Sequence, residues 1–238
     1  MKVVFIVPSY NSQKNVYTLV DSVLTQTDDN WEMILIDDMS TDDTHDAMIK
    51  MSKIDDRISV VLNKEKKYAL RNIVESSRAF QDDDKVVIGV IDGDDSLCNP
   101  DTVKLVLDEY SKGSEVVWTA HKWDINGMNI SRELDKNINP YNHPWVSSHF
   151  RTFKSTLLSS VPDDNFKNYK GSWFKRGYDQ ALMLPLLHVS CKNTYVDDVC
   201  YLYNIDSVSM PKRDWTEMDQ ISTINFVRAR GFISENTV

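Results

Sequence analysis

Short apolar runs and stripes of helical period alternate along the first half of the chain. Residues 3–7 form a continuous apolar run, the pattern of a strand buried on both faces. Val16, Leu19, Val20, Val23 and Leu24 then recur at helical spacing, with Asn11 or Ser12 placed to cap them. The alternation repeats. Strands are predicted over 33–36, 58–62, 85–91 and 115–119. Between them lie helices marked by Ala47, Met48 and Met51, by residues 69–80, and by Val103, Leu105, Val106 and Leu107 behind an Asn99-Pro100 start. Strands that alternate with helices in this way build parallel βαβ units with right-handed crossovers, so the fold class is α/β.

The second half is less regular. Asn126-Gly127 reads as a turn between Trp123 and Ile130, and 137–144 as a loop rich in Asn and Pro. Helices are expected over 149–159 and 179–188, the latter kinked or shortened by Pro185, with a strand over 195–203 and an amphipathic helix in the tail.

Polar groups cluster where the predicted strands end. The fourth strand runs into Asp92-Gly93-Asp94-Asp95, three carboxylates in four positions. Carboxylates this close repel one another unless a positive charge sits between them. Hard divalent cations take such oxygen ligands and commonly act beside substrate phosphates. The alternative is a solvated acidic turn. Two further turns shift the balance, because open α/β sheets bind ligands beyond the carboxyl ends of their strands. The first strand ends in Pro8-Ser9-Tyr10-Asn11 and the second in Asp37-Asp38-Met39-Ser40-Thr41-Asp42, and Arg71 and Asn72 lie early in the helix after the third. Asp38 could accept a hydrogen bond from the ring N–H of uracil, thymine or guanine, or merely cap a helix, as Ser40 or Thr41 could. Tyr10 offers a stacking face or core packing. Arg71 offers a phosphate contact or a surface ion pair. Gly93 permits a sharp turn beside a ligand.

Composition narrows the classes. The chain has 238 residues, enough for one large domain or a domain with an appended subdomain. Its net charge of −9 argues against a nucleic-acid partner. Three cysteines without metal-type spacing read as reduced thiols of a cytoplasmic protein. The first residues reach Pro8 too soon for a signal peptide, and no stretch approaches a membrane span. A soluble protein is expected, with docking to a membrane surface left open.

The ordered set Pro8-Ser9-Tyr10-Asn11, Asp37 to Asp42, Ala69-Leu70-Arg71-Asn72 and Asp92-Gly93-Asp94-Asp95 resembles glycosyltransferase family 2. Gly177-Tyr178-Asp179-Gln180 resembles, more loosely, the family's acidic motif before a helix. The resemblance implies a GT-A fold, a Rossmann-like, mostly parallel sheet flanked by helices. It implies a nucleotide-sugar-binding half over 1–120 and an acceptor-binding half over 121–238. It further implies a nucleotide-sugar donor, UDP-linked as first choice, a Mn²⁺ or Mg²⁺ ion, and transfer to an acceptor hydroxyl with inversion. The acceptor, whether glycan, lipid-linked or protein-linked, is unreadable. Carried over by motif, Pro8, Tyr10, Asn11, Asp38, Arg71, Asp92 and Gly93 would form the nucleotide site. Asp94, with Asp92 and Asp95 as competing ligands, would bind the metal, and Asp179 would be the catalytic base.

The chain departs from the family in two places. Tyr178 stands where an acid often precedes the base. Tyr201-Leu202-Tyr203-Asn204-Ile205-Asp206 lacks the arginine of the family's diphosphate-gripping motif, which leaves Lys212 or Arg213 as substitutes. Trp118, Trp123, Trp145 and Trp173 are candidate sugar-stacking faces or core, and His143, His149, His188 and Arg151 candidate phosphate or metal contacts or packed side chains. A nucleotidyltransferase and a non-catalytic nucleotide-sugar-binding module are the competing readings. The first normally has a glycine- and lysine-rich loop after strand one, which Pro8-Ser9-Tyr10-Asn11 lacks.

Overall fold

Strand β1 (Lys2–Ser9) shows no polar face because it sends side chains into two cores in turn. Val4 and Ile6 enter one, and Val3, Phe5 and Val7 the other. It lies between β2 (Trp31–Asp37) and β4 (Val86–Val90), parallel to both, with β3 (Ile58–Leu62) at the edge beyond β2. Ser9 pairs with Asp37 and Ile6 with Val90, so the carboxyl ends of the three central strands reach one rim. The computed structural model describes residues 1–205 and 214–234.

Helices cover both faces. α1 (Gln13–Leu24) buries Val16, Leu19, Val20 and Val23, the stripe its sequence shows, and packs with α2 (Thr44–Met51). α3 (Tyr68–Arg78) buries Leu70, Ile73 and Val74 against the opposite face. Ser12 occupies the cap position of α1 without a side-chain cap bond; its N–H instead donates to Thr44 Oγ1 at 2.8 Å. α4 (Thr102–Ser111) begins after Asn99, whose Oδ1 accepts from the Asp101 N–H at 2.9 Å.

Beyond β4 the parallel order ends. The sheet continues through β7 (Arg151–Lys154), β6 (Val116–Trp123), β8 (Asn193–Tyr203) and the two-residue β5 (Ser96–Leu97). β7 is antiparallel to both β4 and β6, while β6 and β8 run parallel through a register shift after Thr119. The helix expected over 149–159 is therefore not formed. Residues 151–154 are a strand, and Ser155–Ser160 is a 3₁₀ turn. The physical reason is burial on two faces: Phe150 enters one core and Phe153 the other, the period of a strand.

α5 (Tyr178–Val189) runs through Pro185 because it is buried all round, from Gln180 to Leu187, so packing outweighs the lost backbone bond. The 123–128 turn forms as expected, with the Gly127 N–H donating to Trp123 O at 2.8 Å. α6 (Asp214–Arg230) ends in two arginines that fasten it. Arg228 donates to Gln180 Oε1 and to the carbonyls of Tyr141 and His143; Arg230 donates to those of Asp164, Asn165 and Lys167. Among the described residues, no helix is long and apolar enough to cross a membrane.

Gly89 is the tightest point of the central sheet. A Cβ there would lie 2.8 Å from Phe150 Cζ and 3.0 Å from Val3 Cγ1. Gly89→Ala is expected to destabilise the fold by about 1–3 kcal/mol through overpacking. Thermal unfolding should show a Tm lower by roughly 3–10 °C; an unchanged Tm would contradict the packing.

Candidate active site

A cleft of about 450 Å³ opens at the rim where β1, β2 and β4 end. Pro8, Tyr10 and Asp38 line it together with Asp92, Gly93 and Asp94, with His149 and Arg151, with Lys175 to Asp179, and with Tyr203 and Asn204. Tyr10 is 39% exposed, and Lys66 Nζ lies 2.8 Å from its ring centroid.

Asp38 is 3% exposed, and its carboxylate holds the loop between β3 and α3. Oδ1 accepts from the Lys67 N–H and from Asn63 Nδ2, each at 2.8 Å, and Oδ2 from the Tyr68 N–H at 2.9 Å. These bonds secure Tyr68 at a φ of 63°. Burial raises the Asp38 pKa, but hydrogen bonds from Lys67, Asn63, Asn72 and Tyr68 outweigh it and leave the group below its ordinary value. Arg71 takes no part in the cleft. It pairs with Glu65 at 2.9 Å and Glu75 at 2.7 Å on the surface of α3. Asn11 is also outside the lining; its Oδ1 accepts from the Thr41 N–H at 2.8 Å and ties two rim loops together.

The acidic turn is fixed from several sides. Gly93 is required because a Cβ would lie 2.9 Å from Ser9 Cα. Asn15 Nδ2 donates to Asp94 O at 2.8 Å. The Asp92 N–H donates to Tyr201 Oη, which donates in turn to Asp95 Oδ2 at 2.8 Å, and the Asn204 N–H donates to Asp95 Oδ1 at 2.8 Å. Asp95 therefore faces inward and lines a second hollow, whereas the Asp94 residue lines both.

Arg151 lines the same cleft although it is only 1% exposed. Its Nη2 donates to Asp92 Oδ2 at 3.2 Å and to Tyr178 Oη at 3.1 Å, and Tyr178 Oη–H donates to Asp92 Oδ1. Burial opposes the Arg151 charge, but Tyr178, Asp92, Tyr201 and Asp179 hold it protonated. Burial raises Asp92, partly offset by Arg151, and raises Asp95 well above the usual carboxylate range, with Asp92 and Asp94 adding to the effect.

His149 stacks between Tyr201 and Tyr203, with centroids at 4.8 and 4.9 Å, and its buried Nδ1 has no hydrogen-bond partner. Ligand atoms of Asp92, Asp95 and His149 lie within 4.8 Å of one another. Hard oxygen donors, excess negative charge and an unpartnered imidazole nitrogen suit a divalent cation. The Asp94 residue, in the cleft lining, is a further oxygen donor.

The structure thus brings Pro8, Tyr10, Asp38, Asp92, Gly93, Asp94 and Asp179 to one cleft, and leaves Asn11, Arg71 and Asp95 out of its lining. It adds Lys66, Lys175 and Arg176, which sequence reasoning missed. Lys175-Arg176, just before Gly177-Tyr178-Asp179, was the available signal; Lys66 carried none. Lys212 and Arg213 lie outside the described residues. None of the four tryptophans is in the lining: Trp118 is buried, with Nε1 donating to Arg132 O at 3.1 Å, Trp145 and Trp173 pack on the core, and Trp123 has its ring centroid 6.2 Å from that of the lining residue Tyr203. His143 joins the 135–144 loop, and His188 stacks on Phe232.

A family model described as glycosyl transferase family 2 matches residues 4–180. The chain is 32% identical over 235 residues to a chondroitin synthase of Escherichia coli, covering 92% of this chain and 31% of that one. Its fold is similar to that of S. aureus TarS 1-349 in complex with UDP-GlcNAc, with a TM-score of 0.71 and 19% identity over 95% of this chain and 65% of that one. It is also similar to the mannosyltransferase PcManGT from Pyrobaculum calidifontis in complex with GDP-Man and Mn²⁺, with a TM-score of 0.64 and 16% identity over 99% of this chain and 66% of that one. The chain spans about a third or less of the length of curated relatives that it matches.

Asp38 has a depressed pKa in the folded state, so its contribution to stability is present above its unfolded pKa and lost as pH falls through the folded one. Asp38→Asn should therefore destabilise the protein at pH 7. Urea unfolding should show the difference from wild type shrinking as pH falls below about 4. An equal difference at pH 7 and pH 3 would refute the assignment.

Proposed function

The chain belongs to glycosyl transferase family 2 and has the GT-A fold, and on that premise we propose that it transfers a sugar from a nucleotide-diphosphate donor, UDP-linked, to an acceptor hydroxyl with inversion. The observation that carries the reading is the composition of the cleft: Tyr10 and a loop clasped by Asp38, the carboxylates of Asp92 and Asp94, and the cations Lys66, Lys175 and Arg176 together with Asp179.

In this reading, residues 1–120 form the nucleotide-sugar-binding half and residues from 121 on the acceptor-binding half, which also lends Lys175, Arg176 and His149 to the donor site. The base stacks on Tyr10 and meets the loop that Asp38 clasps. The diphosphate lies toward Lys66, Lys175 and Arg176, which supply the positive charge that the Tyr201 to Asp206 segment lacks. Lys175 Nζ already lies 4.9 Å from the Tyr68 ring centroid, so that side of the cleft combines charge with an aromatic wall. Asp94, with Asp92, Asp95 and His149 nearby, would hold Mn²⁺ or Mg²⁺, which when bound offsets charge developing on the leaving diphosphate. Relatives of the fold support the donor class: TarS is described with UDP-GlcNAc, and PcManGT with GDP-Man and Mn²⁺.

Asp179 stands in the first turn of α5. It accepts the proton of the acceptor hydroxyl as that oxygen attacks the anomeric carbon from the face opposite the leaving group. A carboxylate is a weak base toward a sugar hydroxyl at rest, and it acts because the proton leaves only as the new C–O bond forms.

The test separates the roles. Asp179→Asn should lower donor turnover by about 10²- to 10⁴-fold while leaving UDP binding in Mn²⁺ intact. Asp94→Ala should abolish the Mn²⁺-dependent part of the thermal shift given by UDP. Turnover by Asp179→Asn at the wild-type rate would remove the base assignment. A product with the donor's anomeric configuration would remove the single displacement.

A further inference from the structure

The residue before the base, Tyr178, departs from the acid common in this family, and its surroundings explain what it does here. Three side chains from distant parts of the chain meet through it. Arg151 on β7 donates one hydrogen bond to Asp92 and one to Tyr178, and the Tyr178 hydroxyl donates to the other oxygen of Asp92. One cation, one anion and one neutral phenol leave the group without net charge, and each Asp92 oxygen has a donor. An acid at 178 would set two carboxylates on one buried guanidinium, whose side chain is 1% exposed and whose Nε already lacks a partner.

Position 178 also opens α5. Gly177 precedes it with a φ of 61°, and a Cβ there would lie 3.0 Å from Gln220 O, so the chain enters the helix at a tight and fixed turn. Asp179 is one peptide bond further on. With its ring anchored by Arg151 and Asp92, Tyr178 restrains the first turn of α5 from which Asp179 projects.

We propose that Tyr178, held by Arg151, is a positioning residue that sets the base Asp179 against the donor-site carboxylate Asp92. Its phenol replaces a family acid so that one arginine can serve both ends. The inference rests on the transferase reading of the cleft. It assigns Tyr178 no contact with either substrate. Its removal therefore alters the approach of acceptor to donor and spares donor binding.

The experiment compares wild type, Tyr178→Phe and Tyr178→Glu for turnover of UDP-sugars to added sugar acceptors or water, and for UDP binding in Mn²⁺ by calorimetry. Tyr178→Phe keeps the ring and loses the hydroxyl. Its kcat should fall roughly 10- to 100-fold, the scale of a small misplacement of a reacting group. Its KM for donor and its Kd for UDP should stay within about threefold of wild type, the split that marks loss of an interaction outside ground-state binding. Tyr178→Glu should fall at least as far. A Tyr178→Phe kcat equal to wild type, a loss confined to donor binding, or full activity in Tyr178→Glu would overturn the proposal alone. Wild-type protein that neither binds UDP nor turns over any UDP-sugar would overturn the transferase reading, and this inference with it.

Discussion

A guanidinium almost wholly removed from water allows three carboxylates to gather at the end of β4. Asp92 has little access to solvent and lies beside Asp94 and Asp95, an arrangement that would be strongly unfavourable without a compensating charge. Arg151 provides that charge, and hydrogen bonds from Tyr178, Tyr201 and Asn204 satisfy much of what remains. The sheet topology follows from the same need. Arg151 reaches Asp92 because β7 inserts antiparallel beside β4, placing Val90 opposite Arg151. A sheet that stayed parallel across this point would bring a different side chain there.

Much of the cleft was legible in the sequence because its signals are local. An apolar run that stops at a polar turn marks both a strand and the rim it reaches, and β1, β2 and β4 each carry that signature. Tyr10, Asp38, Asp92 and Asp94 were found this way. Arg71 was misplaced because its neighbours Glu65 and Glu75 satisfy it on the helix surface, and helical spacing alone does not say which way a long side chain turns. The 149–159 segment was misread for a related reason. Its residues have a period of two over only a few positions, and the 3₁₀ turn that follows blurs it. Missing the strand meant missing the partner of Asp92.

The rest of the cleft was hard to read because it is assembled from long-range contacts. Lys175 and Arg176 gain meaning only when the start of α5 and the end of β4 line one cleft, and Lys66 only when Asp38 folds the loop that carries it. Asp38 itself combines two readings that looked exclusive. It is a structural clasp, and the loop it clasps lines the cleft. Recognition of a nucleotide base through such a loop depends on backbone placement as much as on the carboxylate.

The close approach of Gly93 to Ser9 shapes the cleft. With no Cβ at Gly93, the turn after β4 passes close to the end of β1, and the two strands are paired residue for residue behind it. A second close approach joins Gly177 to α6, where a Cβ would lie 3.0 Å from Gln220 O, and Tyr178 beside it bonds to Asp92. Both glycines line the cleft, and neither admits a side chain without displacing neighbouring backbone. The shape of the cleft is thus set in part by two positions that carry no side chain at all, where the smallest substitution would be felt as a change in the wall itself.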